Sequence, residues 1–308
     1  MKLGFLTVCL GSWMTLEEKM RYAAKEGYKA VEVGCWPVVN GRDFSSSDID
    51  VANLTPEKAK EITELAKELG LEISSLAYYD NNLSADESER AFINAHTKKV
   101  IDAAQMLGVE LVGTFIGRNH LLTLEENFDL FAEVFGDLVA YAESKGVKIM
   151  IENCPMPDWQ VKGLPGTISY SPELWRELFK RVPSMSFGLN YDPSHLNFMM
   201  MDYITPIAEF GNRIFHVHAK DSAVDLEALK QYGLYNRQIG ATHDNGIWKF
   251  SMPGHGTVDF DGMIKALKAV GYDGVISIEH EDPEYSGTLE KTMAGLDVAK
   301  EHLLPLMA

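Results

Sequence analysis

Eight short apolar segments recur along this chain, and a segment with helical character separates each from the next. They have the length and the β-branched and aromatic content of buried strands: Leu3–Cys9, Ala30–Cys35, Glu72–Tyr79, Leu111–Gly117, Lys148–Cys154, Ser186–Asp192, Ile214–Lys220 and Val275–His280. Such repeated alternation predicts an α/β protein whose parallel sheet closes into a (β/α)8 TIM barrel. An open doubly wound sheet is the alternative, but its GxGxxG fingerprint does not follow the first strand.

Local signals mark where several of the predicted helices begin and which face they bury. Thr15–Glu18 and Thr123–Glu126 have the capping-box pattern, in which a threonine precedes a glutamate by three residues. Phe128, Phe131 and Phe135 recur at helical spacing, so they predict a helix face packed against the sheet.

The length of 308 residues suits one barrel domain spanning 1–308, and no linker or low-complexity tract divides the chain. Two connections are long for a barrel, at about 36–54 and 222–257. Both follow strands and therefore rise from the face where barrel active sites lie. We expect 222–257, with Tyr232, Tyr235 and Trp248, to act as a lid; a dimer contact is the alternative.

Charge and cysteine content limit the partners and the location of the protein. Asp and Glu number 45 against 28 Lys and Arg, giving a net charge of −17, which disfavours a nucleic-acid partner. Three cysteines without CxxC spacing suggest no disulfide framework, and no stretch has the length of a membrane span. The N-terminus does not have a signal-peptide pattern. We therefore expect a cytoplasmic enzyme with no membrane partner and a possible homo-oligomer.

Acidic and imidazole side chains stand at the ends of the last four predicted strands. Glu152, Asp192 and Glu279 end three of them, and an HxH pair, His216 and His218, ends the fourth. Side chains alternate along a strand, so the two glutamates face the barrel axis while their apolar neighbours face the helices. Unpaired, these groups would repel one another. Three carboxylates and an imidazole suit a divalent cation, with Mn²⁺ or Mg²⁺ most natural and Co²⁺, Fe²⁺ or Zn²⁺ as alternatives.

At these strand ends the chain resembles the xylose-isomerase-like TIM-barrel superfamily, the sugar phosphate isomerases and epimerases. The matching pieces lie in order along the chain: Ile151-Glu152-Asn153, Asp192-Pro-Ser-His195, His216-Val-His218-Ala-Lys220-Asp221, Gly254-His-Gly256-Thr-Val-Asp259-Phe260 and Ile278-Glu279-His280. The superfamily includes ketose epimerases, inosose dehydratase and apurinic endonucleases, so the motifs do not fix one reaction.

The resemblance implies one divalent metal ion, with Mn²⁺ preferred, held by Glu152, Asp192, His218 and Glu279. It implies that His195 contacts the substrate or a water at the metal. His218 is chosen over His216 because it lies nearer the C-terminal rim, where barrel sites are built.

Further substrate contacts are predicted around the rim. Trp13 follows the first strand and suits stacking against a sugar, while His120 and Lys220 follow later strands and suit binding of hydroxyls or a carboxylate. Lys220 has the alternative of pairing with Asp221. His255 stands where the family often has an acidic residue between two glycines, and we expect it near the substrate.

The predicted activity is proton transfer next to a carbonyl, with Glu152 and Glu279 as the acid–base groups and the metal as Lewis acid for an enediolate. The leading function is a metal-dependent isomerase or epimerase of a free monosaccharide-like substrate. The alternative is a lyase acting on a keto-sugar, a keto-inositol or a 3-keto-glycoside. An apurinic endonuclease-like enzyme and a non-catalytic sugar-binding barrel are less favoured.

Overall fold

The computed structural model describes residues 1–38, 47–234, 239 and 246–308. Its ten strands, in chain order, are β1 (Lys2–Leu6), β2 (Ala30–Gly34), β3 (Glu72–Asn81), β4 (Leu111–Phe115), β5 (Lys148–Glu152), β6 (Phe187–Tyr191), β7 (Ile214–Ala219), β8 (Asp221–Val224), β9 (Trp248–Ser251) and β10 (Val275–Ile278). Strands β1 to β7 and β10 are parallel and close into a barrel in that order. The predicted TIM barrel and its eight strand positions are confirmed.

Helices follow the barrel strands and cover the outside of the sheet. Within the described ranges they are α1 (Leu16–Lys25), α2 (Pro56–Leu69), α3 (Glu87–Leu107), α4 (Leu124–Ser144), α5 (Pro172–Arg181), α6 (Pro193–Phe198), α7 (Thr205–Phe210), α8 (Leu226–Tyr232), α9 (Phe260–Ala269) and α10 (Leu289–Met307). Both predicted capping boxes are present, at Thr15 and Thr123, where each threonine accepts the backbone N–H three residues on. No helix in these ranges has the length and apolar character needed to cross a membrane.

The core lies between the barrel and its helices. The predicted face of α4 is buried, and the rings of Phe131 and Phe135 lie 5.0 Å apart and 5.7 Å from Phe187 on β6. Burying each such ring stabilises the fold by roughly 1.5–3 kcal/mol. This packing holds α4 against the sheet and so helps to hold the strands whose ends carry the side chains of the site.

The connection at 222–257 is not a loop throughout. Strands β8 and β9 pair antiparallel at the barrel mouth. The Asp221 carboxylate at the start of β8 accepts backbone N–H groups of Gly254, Gly256 and Val258. A Cβ on Gly256 would lie 2.1 Å from the Asp221 carboxylate, so this position requires glycine. The Gly-x-Gly motif therefore anchors the hairpin. Tyr235 of the predicted lid lies outside the described residues.

Candidate metal centre and substrate cavity

Four side chains converge where the barrel strands end. Glu152 is the last residue of β5, Asp192 follows β6, His218 lies on β7 and Glu279 follows β10. One ligand atom from each lies within 4.8 Å of the others, and three of the residues are buried. The structure thus brings together the four predicted ligands, because parallel strands place their carboxyl ends at one rim.

Two atoms of this cluster are buried polar groups without a hydrogen bond among the described residues. They are His218 Nδ1 and Asp192 Oδ2. The His218 Nδ1 atom lies 3.1 Å from Glu279 Oε2 and 3.4 Å from Glu152 Oε1. Buried polar atoms are normally hydrogen-bonded, and an unpaired one is costly. An imidazole nitrogen and carboxylate oxygens converging in this way fit a divalent cation.

Lys220 adds an ammonium group beside the cluster. Its Nζ lies 2.6 Å from Glu279 Oε2, 3.3 Å from Asp192 Oδ2 and 3.3 Å from Glu281 Oε2. Lys220 therefore pairs with the carboxylates of the site and not with Asp221, whose carboxylate accepts backbone N–H groups instead. Lys220 is buried and lines the cavity described below, so it can reach a bound substrate.

The charges around the two glutamates keep both carboxyls ionised. Burial raises the pKa of Glu152, but Lys220 and the nearby imidazoles outweigh it and hold this pKa well below the usual range. Burial and the neighbouring Glu152 raise the pKa of Glu279, yet Lys220 and His218 lower it overall. Burial dominates for Asp192 and raises its pKa. Glu152 and Glu279 are therefore both present as carboxylates.

His195 lies beside the cluster, in contact with two of its carboxylates. Its Nε2 atom is 3.0 Å from Glu152 Oε1 and 3.3 Å from Asp192 Oδ2. The side chain is buried and lines the cavity. Its position next to both carboxylates is compatible with the predicted contact to substrate.

A buried network behind the cluster was not anticipated from the sequence. Glu32 of β2 accepts from Tyr79 Oη at 2.8 Å and lies 2.8 Å from His218 Nε2. The only sequence signal was a lone carboxylate in an otherwise apolar strand, Ala-Val-Glu-Val-Gly. A Cβ on Gly113 of β4 would lie 2.5 Å from Tyr79 Oη, so glycine there leaves room for the ring.

His216 lies one layer deeper, as predicted. Its Nδ1 atom is 3.0 Å from Asn190 Oδ1 and its Nε2 atom is 3.1 Å from Ser74 Oγ. Burial lowers its pKa to about 4, so the ring is neutral at pH 7. Glu32, His216 and His218 also lie close enough to hold a cation. Because both His216 nitrogens are already hydrogen-bonded, the first cluster is the better metal site.

The cluster opens into a cavity of about 580 Å³. Aromatic rings form a continuous wall: Trp36 lies 6.1 Å from Tyr79, Tyr79 lies 5.0 Å from Phe115, and Phe115 lies 5.7 Å from Trp159. The lining residues are Leu6, Val8, Cys9, Trp36, Tyr79, Phe115, Glu152, Cys154, Met156, Pro157, Asp158, Trp159, His195, Lys220, Phe250, Glu279, His280 and Glu281. An aromatic wall above an acidic floor suits a polyhydroxylated ring with apolar faces.

Three predicted substrate contacts are not among these lining residues. Trp13 is 49% exposed on the segment after β1, and His120 is exposed beyond β4. His255 is also exposed, with its ring 5.8 Å from that of Tyr285. Each of these residues follows a strand in the sequence. Its sequence position does not show how far the chain runs from the barrel rim before it reaches that residue.

Phe250 of β9 reaches the cavity from the hairpin. Its ring lies 4.9 Å from Lys220 Nζ and 5.8 Å from the His195 ring. The hairpin is held in turn by Trp248, which stacks on Phe198 at 3.9 Å. Phe250 therefore packs against two polar groups of the site, Lys220 and His195.

We expect Phe250→Ala to lower kcat/KM about tenfold, since a desolvated cation–π contact contributes ~0.5–2 kcal/mol. The metal content should not change, because Phe250 is not one of the four clustered ligands. Steady-state kinetics with metal analysis on the same preparation measure both. Unchanged kinetics would show that the hairpin does not shape the site.

The chain resembles known proteins over nearly its whole length. The family model for the xylose isomerase-like TIM barrel matches residues 20–302. An inosose dehydratase from Clostridium perfringens is 27% identical over 308 residues, covering 95% of this chain and 91% of the relative.

Solved structures match the fold. The IolI protein with a bound zinc atom superimposes with a TM-score of 0.72 at 22% identity, covering 100% of this chain and 98% of that one. A D-tagatose 3-epimerase-like protein superimposes with a TM-score of 0.68 at 23% identity, covering 99% and 98%.

Proposed function

Because the chain belongs to the xylose isomerase-like TIM barrel family, we propose that it is a divalent-metal-dependent epimerase or isomerase of a free monosaccharide-like substrate. Relatives named as inosose dehydratase and sugar epimerase support an enzyme. The observation that carries the proposal is the cluster of Glu152, Asp192, His218 and Glu279, whose ligand atoms lie within 4.8 Å of one another at the floor of an aromatic cavity.

The four clustered side chains are the residues that would hold the metal ion. Three carboxylates and one imidazole favour Mn²⁺, and the zinc in the IolI structure supports a divalent ion in this fold. When bound, such an ion supplies Lewis-acid stabilisation of negative charge on adjacent carbonyl and hydroxyl oxygens of the substrate.

Glu152 and Glu279 are the proposed acid–base pair. Both carboxyls are ionised, and they approach from different strands, so one can take a proton from the substrate carbon while the other returns one. Lys220 contacts Glu279 at 2.6 Å and His195 contacts Glu152 at 3.0 Å. These two donors hold the carboxylates in place and can donate to substrate oxygens.

The cavity supports an uncharged substrate. Lys220 is the one lysine or arginine among the described lining residues, and four carboxylates surround it within 3.7 Å. A phosphate would find no unneutralised cation there and would meet a protein of net charge −17. The aromatic wall offers stacking to the apolar face of a sugar or polyol ring. We place this activity in the cytoplasm.

A dehydratase acting on a keto-inositol or a related keto-sugar is the second candidate. The inosose dehydratase from Clostridium perfringens, which aligns over 95% of this chain, favours it. Dehydration begins with the same proton removal and differs in the next step, where a hydroxide leaves from the neighbouring carbon. The two candidates therefore use the same base and the same metal ligands.

A substrate screen tests the proposal and separates the candidates. The purified protein, supplied with Mn²⁺, is incubated with ketoses, aldoses, keto-inositols and 3-keto-glycosides, and products are separated by mass and by stereochemistry. A product of unchanged mass with altered stereochemistry or a moved carbonyl group supports the epimerase or isomerase, whereas loss of 18 Da supports the dehydratase. Sugar binding without turnover in the presence of each divalent metal would contradict both.

A further inference from the structure

We propose that Glu32 is a positioning residue that fixes the ring orientation and tautomer of His218, so that Nδ1 is presented to the metal. The inference rests on the proposed function, because it concerns the same metal centre. Glu32 is not one of the four clustered ligands, and it lies at Nε2 of His218, whereas Glu279 and Glu152 lie at Nδ1. It would act on the metal only through that imidazole.

The two ring nitrogens of His218 lie in different environments. Nε2 lies 2.8 Å from Glu32 Oε2, whereas Nδ1 faces Glu279 at 3.1 Å and Glu152 at 3.4 Å. Both His218 and Glu32 are fully buried. Nδ1 makes no hydrogen bond among the described residues, so it is the ring nitrogen left for a ligand.

A carboxylate accepts hydrogen bonds and does not donate them, so the Glu32 contact places a proton on Nε2. The Asn190 amide also lies 2.8 Å from Nε2. A hydrogen bond from Nε2–H to the ionised Glu32 carboxylate is stronger than one from the neutral Asn190 amide to Nε2. The Glu32 contact therefore decides which ring nitrogen carries the proton. With the proton on Nε2, neutral His218 offers Nδ1 as a metal ligand. This is the carboxylate–histidine–metal arrangement that orients imidazole ligands in metalloproteins.

Glu32 is itself held from several strands of the barrel. Its Oε1 accepts from Tyr79 Oη of β3 at 2.8 Å, and its Oε2 accepts from Ser277 Oγ of β10 at 3.0 Å. The Nδ1 atom of His216 is 3.9 Å from Oε2, too long for a hydrogen bond. Tyr79 and Ser277 thus hold the Glu32 carboxylate in place, directed at His218. A residue that positions a metal ligand must itself be held in this way.

The test replaces Glu32 by glutamine and measures zinc affinity by competition with a chelator. Loss of such a partner lowers metal affinity by about 10–100-fold, and we expect Glu32→Gln to fall in that range. A second readout is the ¹⁵N spectrum of the zinc-loaded protein. In the wild type, we expect His218 to show a zinc-bound Nδ1 and a protonated Nε2 hydrogen-bonded to Glu32. In Glu32→Gln the Nε2 signal should shift, because the charged acceptor is gone.

Two further variants separate the contact from general effects of substitution. Glu32→Asp keeps the charge but withdraws it by one methylene group, so zinc affinity should lie between wild type and Glu32→Gln; this variant also serves if Glu32→Gln does not fold. Glu72→Gln makes the same chemical change on the exposed end of β3 and should leave zinc affinity unchanged.

Zinc affinity of Glu32→Gln within twofold of wild type, with an unaltered His218 spectrum, would overturn the positioning role and leave the proposed function intact. If Glu32→Gln does not fold, Glu32→Asp with wild-type affinity and an unaltered spectrum would do the same. A wild-type protein that binds no divalent metal would overturn the proposed function and the positioning role with it.

Discussion

Glu152→Gln and Glu279→Gln are each expected to lower kcat by ~10²–10⁴, the contribution of a positioned acid–base group. Glutamine keeps the size of the side chain and removes its capacity to carry a proton. Both carboxyls are ionised in the protein, so each loses a working base. Steady-state turnover on the substrate from the screen measures the loss.

Metal analysis of both variants must accompany the rates, because each glutamate is also a proposed ligand. Glu281→Gln is the matched comparison: it lines the same cavity and contacts Lys220 at 3.3 Å, but it is not part of the ligand cluster. We expect it to lose less than tenfold. Near wild-type turnover in either Glu152→Gln or Glu279→Gln would remove that residue from the proposed pair.

His218→Ala and Asp192→Ala are expected to reduce bound divalent metal from about one ion per chain to almost none. Each removes a buried atom of the cluster that makes no hydrogen bond among the described residues, and alanine offers no replacement ligand. A ligand that binds the folded state alone stabilises it by ~2.7 kcal/mol at a concentration of 100 times Kd. Added metal should therefore raise the Tm of the wild type and leave the Tm of both variants unchanged.

Matched surface variants control for the substitutions themselves. His120→Ala changes an exposed histidine, and Asp129→Ala changes an aspartate that pairs with Arg181 on the outer surface. Both should keep the metal and its effect on Tm. Full metal occupancy in both His218→Ala and Asp192→Ala would show that the ion lies elsewhere.

The barrel was predictable because its signals are local and repeated. Each strand is a short apolar segment, and capping residues such as Thr15 and Thr123 mark helix starts without reference to distant parts of the chain. The hairpin of β8 and β9 was not predicted. The hairpin is anchored by hydrogen bonds from backbone N–H groups to Asp221, more than thirty residues away in the sequence. No local sequence pattern predicts such a contact.

In the site too, residues placed by local structure were predictable and residues placed by distant contacts were not. A residue that ends a strand is placed by the strand itself, so Glu152 and His218 could be assigned to the mouth. Glu32 lies within β2, and its role depends on a side chain of β7, 186 positions later. Trp13 and His255 stand beyond strand ends, where the path of the chain decides the outcome, and they do not line the cavity.

Solvent-label incorporation tests the central claim, proton transfer at a substrate carbon, most directly. The wild-type enzyme, loaded with Mn²⁺, converts its substrate in deuterated water, and the product is analysed by mass and NMR. Metal and substrate without protein give the uncatalysed exchange. We predict one solvent deuterium at the reacting carbon of the product. A product formed by the active enzyme without label would contradict proton transfer through Glu152 and Glu279 and would indicate movement of hydrogen within the substrate.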